Sequence, residues 1–224
     1  MGCLLKGGGG LYPRLRIGAV LLAAGAGRRM GGLAKPLILL QGVPLIRRQL
    51  VALSGAGIDE VVVVTGHARG AVEEQVRSFP VTLVHNAEFE QGQDGSVRAG
   101  LAALTGPFDA VFVVPCDQPL IAADDLTELI SAFKKRPGGH VVVPMVDGQR
   151  GNPILIDEEA RTQILDSGAN LGCRHLLARR PELVHTHASA NRRFITDLDT
   201  LDDVRALAER TGWRLELPEP APVE

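Results

Sequence analysis

Short apolar runs alternate with amphipathic stretches along most of this chain, and that alternation constrains its fold more than any single motif. Strand-like runs lie at Ile17–Ala23, Glu60–Thr65, Val81–His85, Ala110–Val114 and His140–Pro144. Helical spacing appears at Leu45–Ser54, Ala71–Val76, Val97–Leu104 and Asp124–Lys135. The strands are rich in valine and nearly continuous in apolar residues, as expected where both faces of a sheet are covered. Their alternation with helices predicts βαβ units, and so an α/β fold with a doubly wound, mostly parallel, Rossmann-like sheet. Ligands of such sheets bind beyond the carboxyl ends of the strands. After Pro144 the rhythm changes. A turn at Gly148–Pro153 leads to a short strand, Ile154–Ile156, helical patterns at Glu158–Leu165 and Leu171–Arg179, a strand at Leu183–Thr186 and a last helix at Leu201–Arg210.

The first strand ends in a glycine-rich turn, Ala24-Gly25-Ala26-Gly27-Arg28-Arg29-Met30-Gly31-Gly32, with Lys35 shortly after. Glycines let a backbone turn tightly and bring bare N–H groups against an anion. Arg29 and Lys35 supply charge for phosphate oxygens, so the turn reads as a site for a phosphorylated ligand, most simply a nucleotide. It is not the dinucleotide fingerprint G-x-G-x-x-G, because Met30 stands where the third glycine belongs. It is not a P-loop either, because Lys35 lies between Ala34 and Pro36. A plain strand-to-helix connection is the bland alternative, and the basic residues argue against it.

The run L-A-A-G-x-G-x-R-M-G followed by K-P-L resembles the signature of nucleotidyltransferases that activate small phosphorylated acceptors. Within that group it is most similar to molybdenum cofactor cytidylyltransferase and molybdopterin-guanine-dinucleotide synthase-like proteins. Three further segments carry the resemblance: Gly95–Leu101 (GSVRAGL), Val113–Leu120 (VVPCDQPL) and Asp197–Asp203 (DLDTLDD). It implies a nucleotide-diphospho-sugar transferase-like fold and a Mg²⁺-dependent transfer of CMP from CTP to the phosphate of molybdopterin, with release of pyrophosphate. It implies a nucleotide pocket built from Leu22, Ala23, Ala24, Gly25, Gly27, Arg29, Lys35 and Ser96, and a molybdenum hydroxylase or its chaperone as a further partner. In this family L-A-A-G goes with cytidine and L-A-G-G with guanine, so Ala24 favours CTP over GTP. GTP as donor, or a sugar or polyol phosphate as acceptor, stays open, as does a non-catalytic carrier of the cofactor. A nucleotide-binding oxidoreductase is the alternative from another class; the off-register third glycine argues against it.

Two anions must meet in such a reaction, so the site needs cations more than a strong base. Mg²⁺ prefers oxygen ligands and is held by one or two carboxylates plus substrate phosphates. Asp117 follows a valine-rich strand and a proline, which would present it at the cleft edge; a turn aspartate is the alternative. The resemblance points to Asp199 as the second metal carboxylate, with Asp197 as its rival. Asp199 or Thr200 can equally cap the last helix with Asp203 completing the box. Arg29, Lys35 and Asp117 are the residues expected to carry the chemistry. Arg28 is expected to face solvent, Ser96 to line the pocket or cap a helix, and Asn86 and His67 to sit at the cleft rim or in turns. His185 and His187 share one strand face but lack a third ligand.

A chain of 224 residues suits one domain. It is read as a flexible leader at 1–16, a nucleotidyltransferase domain at 17–212 with its nucleotide half at about 17–120 and its acceptor half at about 121–212, and a disordered tail at 213–224. A net charge of −2, from 24 Lys plus Arg against 26 Asp plus Glu, gives no basis for nucleic acid or an anionic membrane as partner. Three scattered cysteines, Cys3, Cys116 and Cys173, suit a reducing cytoplasm. No apolar run approaches the ~20 residues of a membrane span.

Overall fold

The computed structural model describes residues 14–166 and 177–219. β1 (Ile17–Ala23) is an interior strand buried along its whole length. Two 3-10 turns follow, at Arg28–Met30 and Lys35–Leu37, and then a hairpin of β2 (Leu39–Leu40) and β3 (Val43–Pro44). Next come α1 (Leu45–Gly55), β4 (Glu60–Thr65), α2 (Arg69–Val76), β5 (Thr82–His85), a 3-10 turn at Phe89–Gln91 and α3 (Gln93–Ala103). The chain continues through β6 (Ala110–Pro115), α4 (Ala123–Lys135), β7 (Val141–Val146), β8 (Gln149–Arg150), β9 (Ile154–Ile156) and α5 (Glu158–Asp166). β10 (Val184–Ala188), α6 (Leu201–Thr211) and β11 (Leu215–Glu216) complete it.

Among the described residues the main sheet runs β10-β7-β9-β6-β1-β4-β5, with β8 paired to β7. Its pairs are parallel except those made by β9 and β8, so the expected doubly wound, mostly parallel sheet is present. Side chains alternate across β1. Ile17, Ala19, Leu21 and Ala23 pack with α1, α2 and α4, and Val20 and Leu22 pack with α3 and α5. Both faces are therefore covered, which is why the strands read as unbroken apolar runs. Gly100 of α3 allows close approach to the sheet: a Cβ there would lie 2.2 Å from Val20 Cγ1.

From β1 the chain builds outward through β4 and β5, then crosses back to lay β6 on the other side of β1. That reversal is the switch point where doubly wound sheets open a crevice at their carboxyl edge. The glycine-rich turn leaves β1 there and Asp117 leaves β6 there, with Leu22 paired to Pro115.

The structure corrects several expectations. After Pro144, where the rhythm of the sequence changes, the strands continue the same sheet, and β9 enters it antiparallel between β6 and β7, against the parallel run of the earlier strands. The tail does not begin at 213: β11 pairs with β2, and Gln41 N donates to Arg214 O at 2.9 Å. At the other end Arg14 pairs with Asp59 at 3.0 Å and Arg16 N donates to Asp109 at 2.7 Å, so residues 14–16 are tied to the domain. The rest of the expected leader, residues 220–224 of the expected tail, Cys3, Cys173 and most of the helical pattern Leu171–Arg179 lie outside the described residues. No helix among the described residues is long and apolar enough to cross a membrane.

Candidate active site at the switch point

The glycine turn is shaped by its backbone. Gly27, Gly31 and Gly32 all have positive φ, a region that costs other residues a Cβ clash. Gly27 O accepts from Met30 N at 2.8 Å and from Gly32 N at 3.1 Å, closing the turn on itself. Met30, the residue that breaks the dinucleotide fingerprint, is buried with Leu33, Ile38, Leu40 and Leu45 and with Leu198, Val204 and Leu207 near α6. It anchors the loop in that small apolar cluster, a job glycine cannot do. The anchoring aims Arg29 and, at the start of the second 3-10 turn, Lys35 toward the crevice.

Four charged groups then meet. Lys35 Nζ donates to Asp117 Oδ2 at 3.0 Å and to Asp199 Oδ1 at 2.7 Å. Arg29 donates to the other oxygen of Asp199. The segment before α6 reaches Asp117 because Leu198 N donates to the Asp117 carbonyl at 3.0 Å. The two readings of this segment resolve cleanly. Thr200 caps α6 and Asp203 returns the bond to the Thr200 backbone at 2.7 Å, so the Asp199 side chain takes no part in the cap.

The electrostatics follow from the contacts. Burial alone would lower the Lys35 ammonium, but Asp117 and Asp199 outweigh it and hold Lys35 above its ordinary range. The Lys35 hydrogen bond, with further help from the charges of Lys35 and Arg29, holds the Asp199 carboxyl below the ordinary range against its burial. At Asp197 the balance is reversed: burial, then the nearby charges of Asp117 and Asp199, outweigh the Lys35 charge and push its carboxyl up. Cys116 is buried, and burial together with Asp117 pushes its thiol well up, so it stays protonated beside the crevice.

Two cavities flank this cluster. The first, about 380 Å³, contains in its wall every position named above as catalytic, nucleotide-binding or metal-binding: Leu22, Ala23, Ala24, Gly25, Gly27, Arg29, Lys35, Ser96, Asp117 and Asp199. The second, about 490 Å³, shares Arg29, Gln93, Asp117 and Asp199 with it and adds Arg150, Asn152 and Asp197. Asp117 and Asp199 thus stand on the wall common to both. Two sites meeting at shared charges suit a reaction that brings two anionic ligands together.

Ser96 is buried one turn inside α3, whose N-cap is Gly92, so the capping reading is corrected. Its hydroxyl accepts from Asn86 Nδ2 at 2.9 Å; Ser96 lines the first cavity, and Asn86 stands behind it, in the wall of neither cavity. Sequence reasoning missed Phe89 and Gln93, which line the first cavity; a lone aromatic among Glu88, Glu90 and Gln91 carries no periodic signal. His187 is taken up by Glu128 at 2.8 Å on α4 and makes no metal pair with His185. Among the described residues no group of three His, Cys, Asp or Glu side chains is placed to hold a metal. What converges instead is a pair of hard carboxylate donors on one point now occupied by an ammonium, a donor set that fits an oxygen-seeking cation completed by substrate phosphates.

Comparison with known proteins agrees with this architecture. The family described as MobA-like NTP transferase domain matches residues 19–186. The chain belongs to that family. Among relatives of the MobA-like domain, it is 28% identical to nicotine blue oxidoreductase of Paenarthrobacter nicotinovorans, over 84% of this chain and 94% of that protein. It is 31% identical to molybdenum cofactor guanylyltransferase of Shewanella sediminis, over 63% of this chain and 68% of that protein. It also matches longer bifunctional proteins, spanning 27% of the GlmU of Syntrophomonas wolfei. The fold is shared with a nucleotidyl transferase from Methanothermobacter at a TM-score of 0.72 and 23% identity, covering 87% of this chain and 97% of that one.

Proposed function

We propose that this MobA-like transferase moves CMP from CTP to the phosphate of molybdopterin, in a Mg²⁺-dependent reaction in the cytoplasm. An oxygen of the acceptor phosphate attacks the α-phosphorus of the nucleotide. The bond from that phosphorus to the oxygen bridging it to the β-phosphate breaks, and pyrophosphate leaves. The observation that carries this reading is the placement of Asp117 and Asp199 on the wall between two cavities, with Lys35 and Arg29 against them. The nucleotide takes the first cavity and the acceptor the second.

Asp117 and Asp199 would hold the metal, which supplies charge neutralisation for the triphosphate when bound. Arg29 and Lys35 bind the β- and γ-phosphates and stabilise the charge that builds on leaving pyrophosphate. Lys35 carries three donors and spends two on the carboxylates, leaving one for a phosphate oxygen. The backbone from Leu22 to Gly25 reads the base. The Ala24 methyl narrows the slot and favours the smaller pyrimidine; the names of relatives favour GTP as the alternative donor. A molybdenum hydroxylase or its chaperone would receive the product.

The deciding experiment is metal-dependent pyrophosphate release with molybdenum cofactor as acceptor, comparing CTP with GTP. Asp117→Asn should lose roughly 10²–10³-fold in turnover while still binding nucleotide. Binding without turnover in the unaltered protein would leave only a carrier. Release with GTP alone would reverse the base assignment, and release with neither nucleotide would remove the cofactor as acceptor.

A second reading has one observation in its favour, the similarity to nicotine blue oxidoreductase along 94% of that protein. It requires a reduced nicotinamide in the first cavity. Fluorescence titration with NADH and NADPH tests it: saturable binding by protein that binds neither CTP nor GTP would support an oxidoreductase.

A further inference from the structure

We infer that His67 is a positioning residue for the nucleotide loop, fastening both ends of the glycine-rich turn to the end of β4. The inference rests on the proposed nucleotide site. His67 N donates to Ala24 O at 3.2 Å, where the turn begins. His67 Nε2 lies 2.7 Å from Gly32 O, where the turn ends. A carbonyl only accepts, so Nε2 carries the proton of this bond. The ring also leans on Phe89, with centroids 6.2 Å apart, and Phe89 lines the nucleotide cavity. One half-buried side chain therefore meets both the loop and an aromatic ring that lines the same pocket.

The local backbone is bent to achieve this. Ala68, directly after His67, has φ of 54° and ψ of 36°, a left-handed conformation that a residue with a Cβ adopts only when its surroundings impose it. Gly66, directly before, has no room for a side chain: a Cβ there would lie 2.7 Å from Phe89 Cβ and 2.9 Å from Ala24 Cβ. The turn after β4 thus presses His67 against the loop. The reach is long in consequence. Gly32 N is bonded to Gly27 O, so fixing Gly32 fixes the 3-10 turn that carries Arg29, and Lys35 follows three residues on. Arg29 and Lys35 make no hydrogen bond to His67; it acts on them through the backbone that holds them.

The test compares His67→Gln, which keeps a donor, with His67→Phe, which keeps the ring packing but not the donor, and His67→Ala, which keeps neither. Each is measured for melting temperature, KM for the nucleotide and the acceptor, kcat, and the pH profile of turnover. Loss of one net hydrogen bond predicts a nucleotide KM raised about five- to tenfold in the Phe and Ala variants. kcat, the acceptor KM and the pH profile should stay close to those of the unaltered protein, and Gln should restore the nucleotide KM. An unchanged nucleotide KM in the Phe variant overturns the hydrogen-bond role. A shifted pH profile in the Gln variant overturns it too, because it would make His67 an acid or base. If the Ala variant fails to fold, the Gln and Phe pair decides the matter alone. A protein with its native His67 that binds neither CTP nor GTP with Mg²⁺ refutes the nucleotide site itself, and this inference with it.

Discussion

Asp117, Asp197 and Asp199 lie within a few residues of one another in space, yet their environments separate them. Asp199 is neutralised by Lys35 and Arg29, whereas Asp197 takes a charge under burial and beside two other carboxylates. The consequence for stability has a definite sign. A carboxyl raised in the folded protein binds more protons there than in the unfolded chain between its ordinary value of 3.8 and its raised value. Stability therefore falls as pH rises through that window and stays lowered above it. Asp197→Asn removes the burden. In chelator-treated protein the variant should melt higher than the parent at pH 7 and at the same temperature near pH 3, where both side chains are neutral. Equal melting at pH 7 would mean that solvent already relieves the Asp197 charge. Motif and chemistry single out Arg29, Lys35, Asp117 and Asp199 in the sequence, and the structure brings these four side chains together. The sequence did not separate Asp199 from the cap, because D-x-D-T-x-x-D satisfies both readings until Thr200 and Asp203 are seen bonded to each other.

At the scale of elements, the long apolar strands and most helices were legible because burial on both faces leaves a continuous signal. The hairpin of β2 and β3 was not. Two-residue strands have no periodicity, and the only local mark is Gln41-Gly42, both at positive φ. The antiparallel entry of β9 was also hidden, since the side chains of Ile154–Ile156 read alike in either direction. Glycines tell the elements apart in a way that mutation can test. Gly100→Ala pushes a methyl into Val20 and Val64 on the sheet; overpacking of this kind costs about 1–3 kcal/mol. It should lower the denaturation midpoint without changing the slope, and leave nucleotide affinity nearly intact. Gly27→Ala meets a different obstacle: its Cβ would lie 2.0 Å from Leu33 O, a backbone atom, at a φ of 57°. The loop must then re-form, so nucleotide affinity should fall by about tenfold or more, a loss of roughly 1.4 kcal/mol or greater. Calorimetric titration beside chemical denaturation separates the two, and equal losses of affinity would contradict the division of labour between core and loop.

Across the whole molecule, the last residues of the fold support its first functional loop. β11 pairs with β2, and β2 follows directly on the 3-10 turn that begins at Lys35. Leu215 packs against the apolar cluster that holds Met30, and Arg48 of α1 sits over the Trp213 ring at 5.8 Å. The proline-rich, acidic composition from Glu216 onward conceals this, because a two-residue strand earns its place only through the partner it finds. Ending the chain after Gly212 removes the β11 pairing, the Arg214 bond to Gln41 and the Trp213 contact together. Compared with a chain ending after Glu219, which keeps all of these, it should melt lower by a few degrees; about 1 kcal/mol corresponds to roughly 2–4 °C for a domain of this size. It should also bind nucleotide more weakly, since β2, which follows the Lys35 turn, loses one of its two pairing strands. Lower melting with unchanged nucleotide affinity would show that the Lys35 turn is held by Met30 and its apolar neighbours alone, without the strand contributed by the carboxyl end.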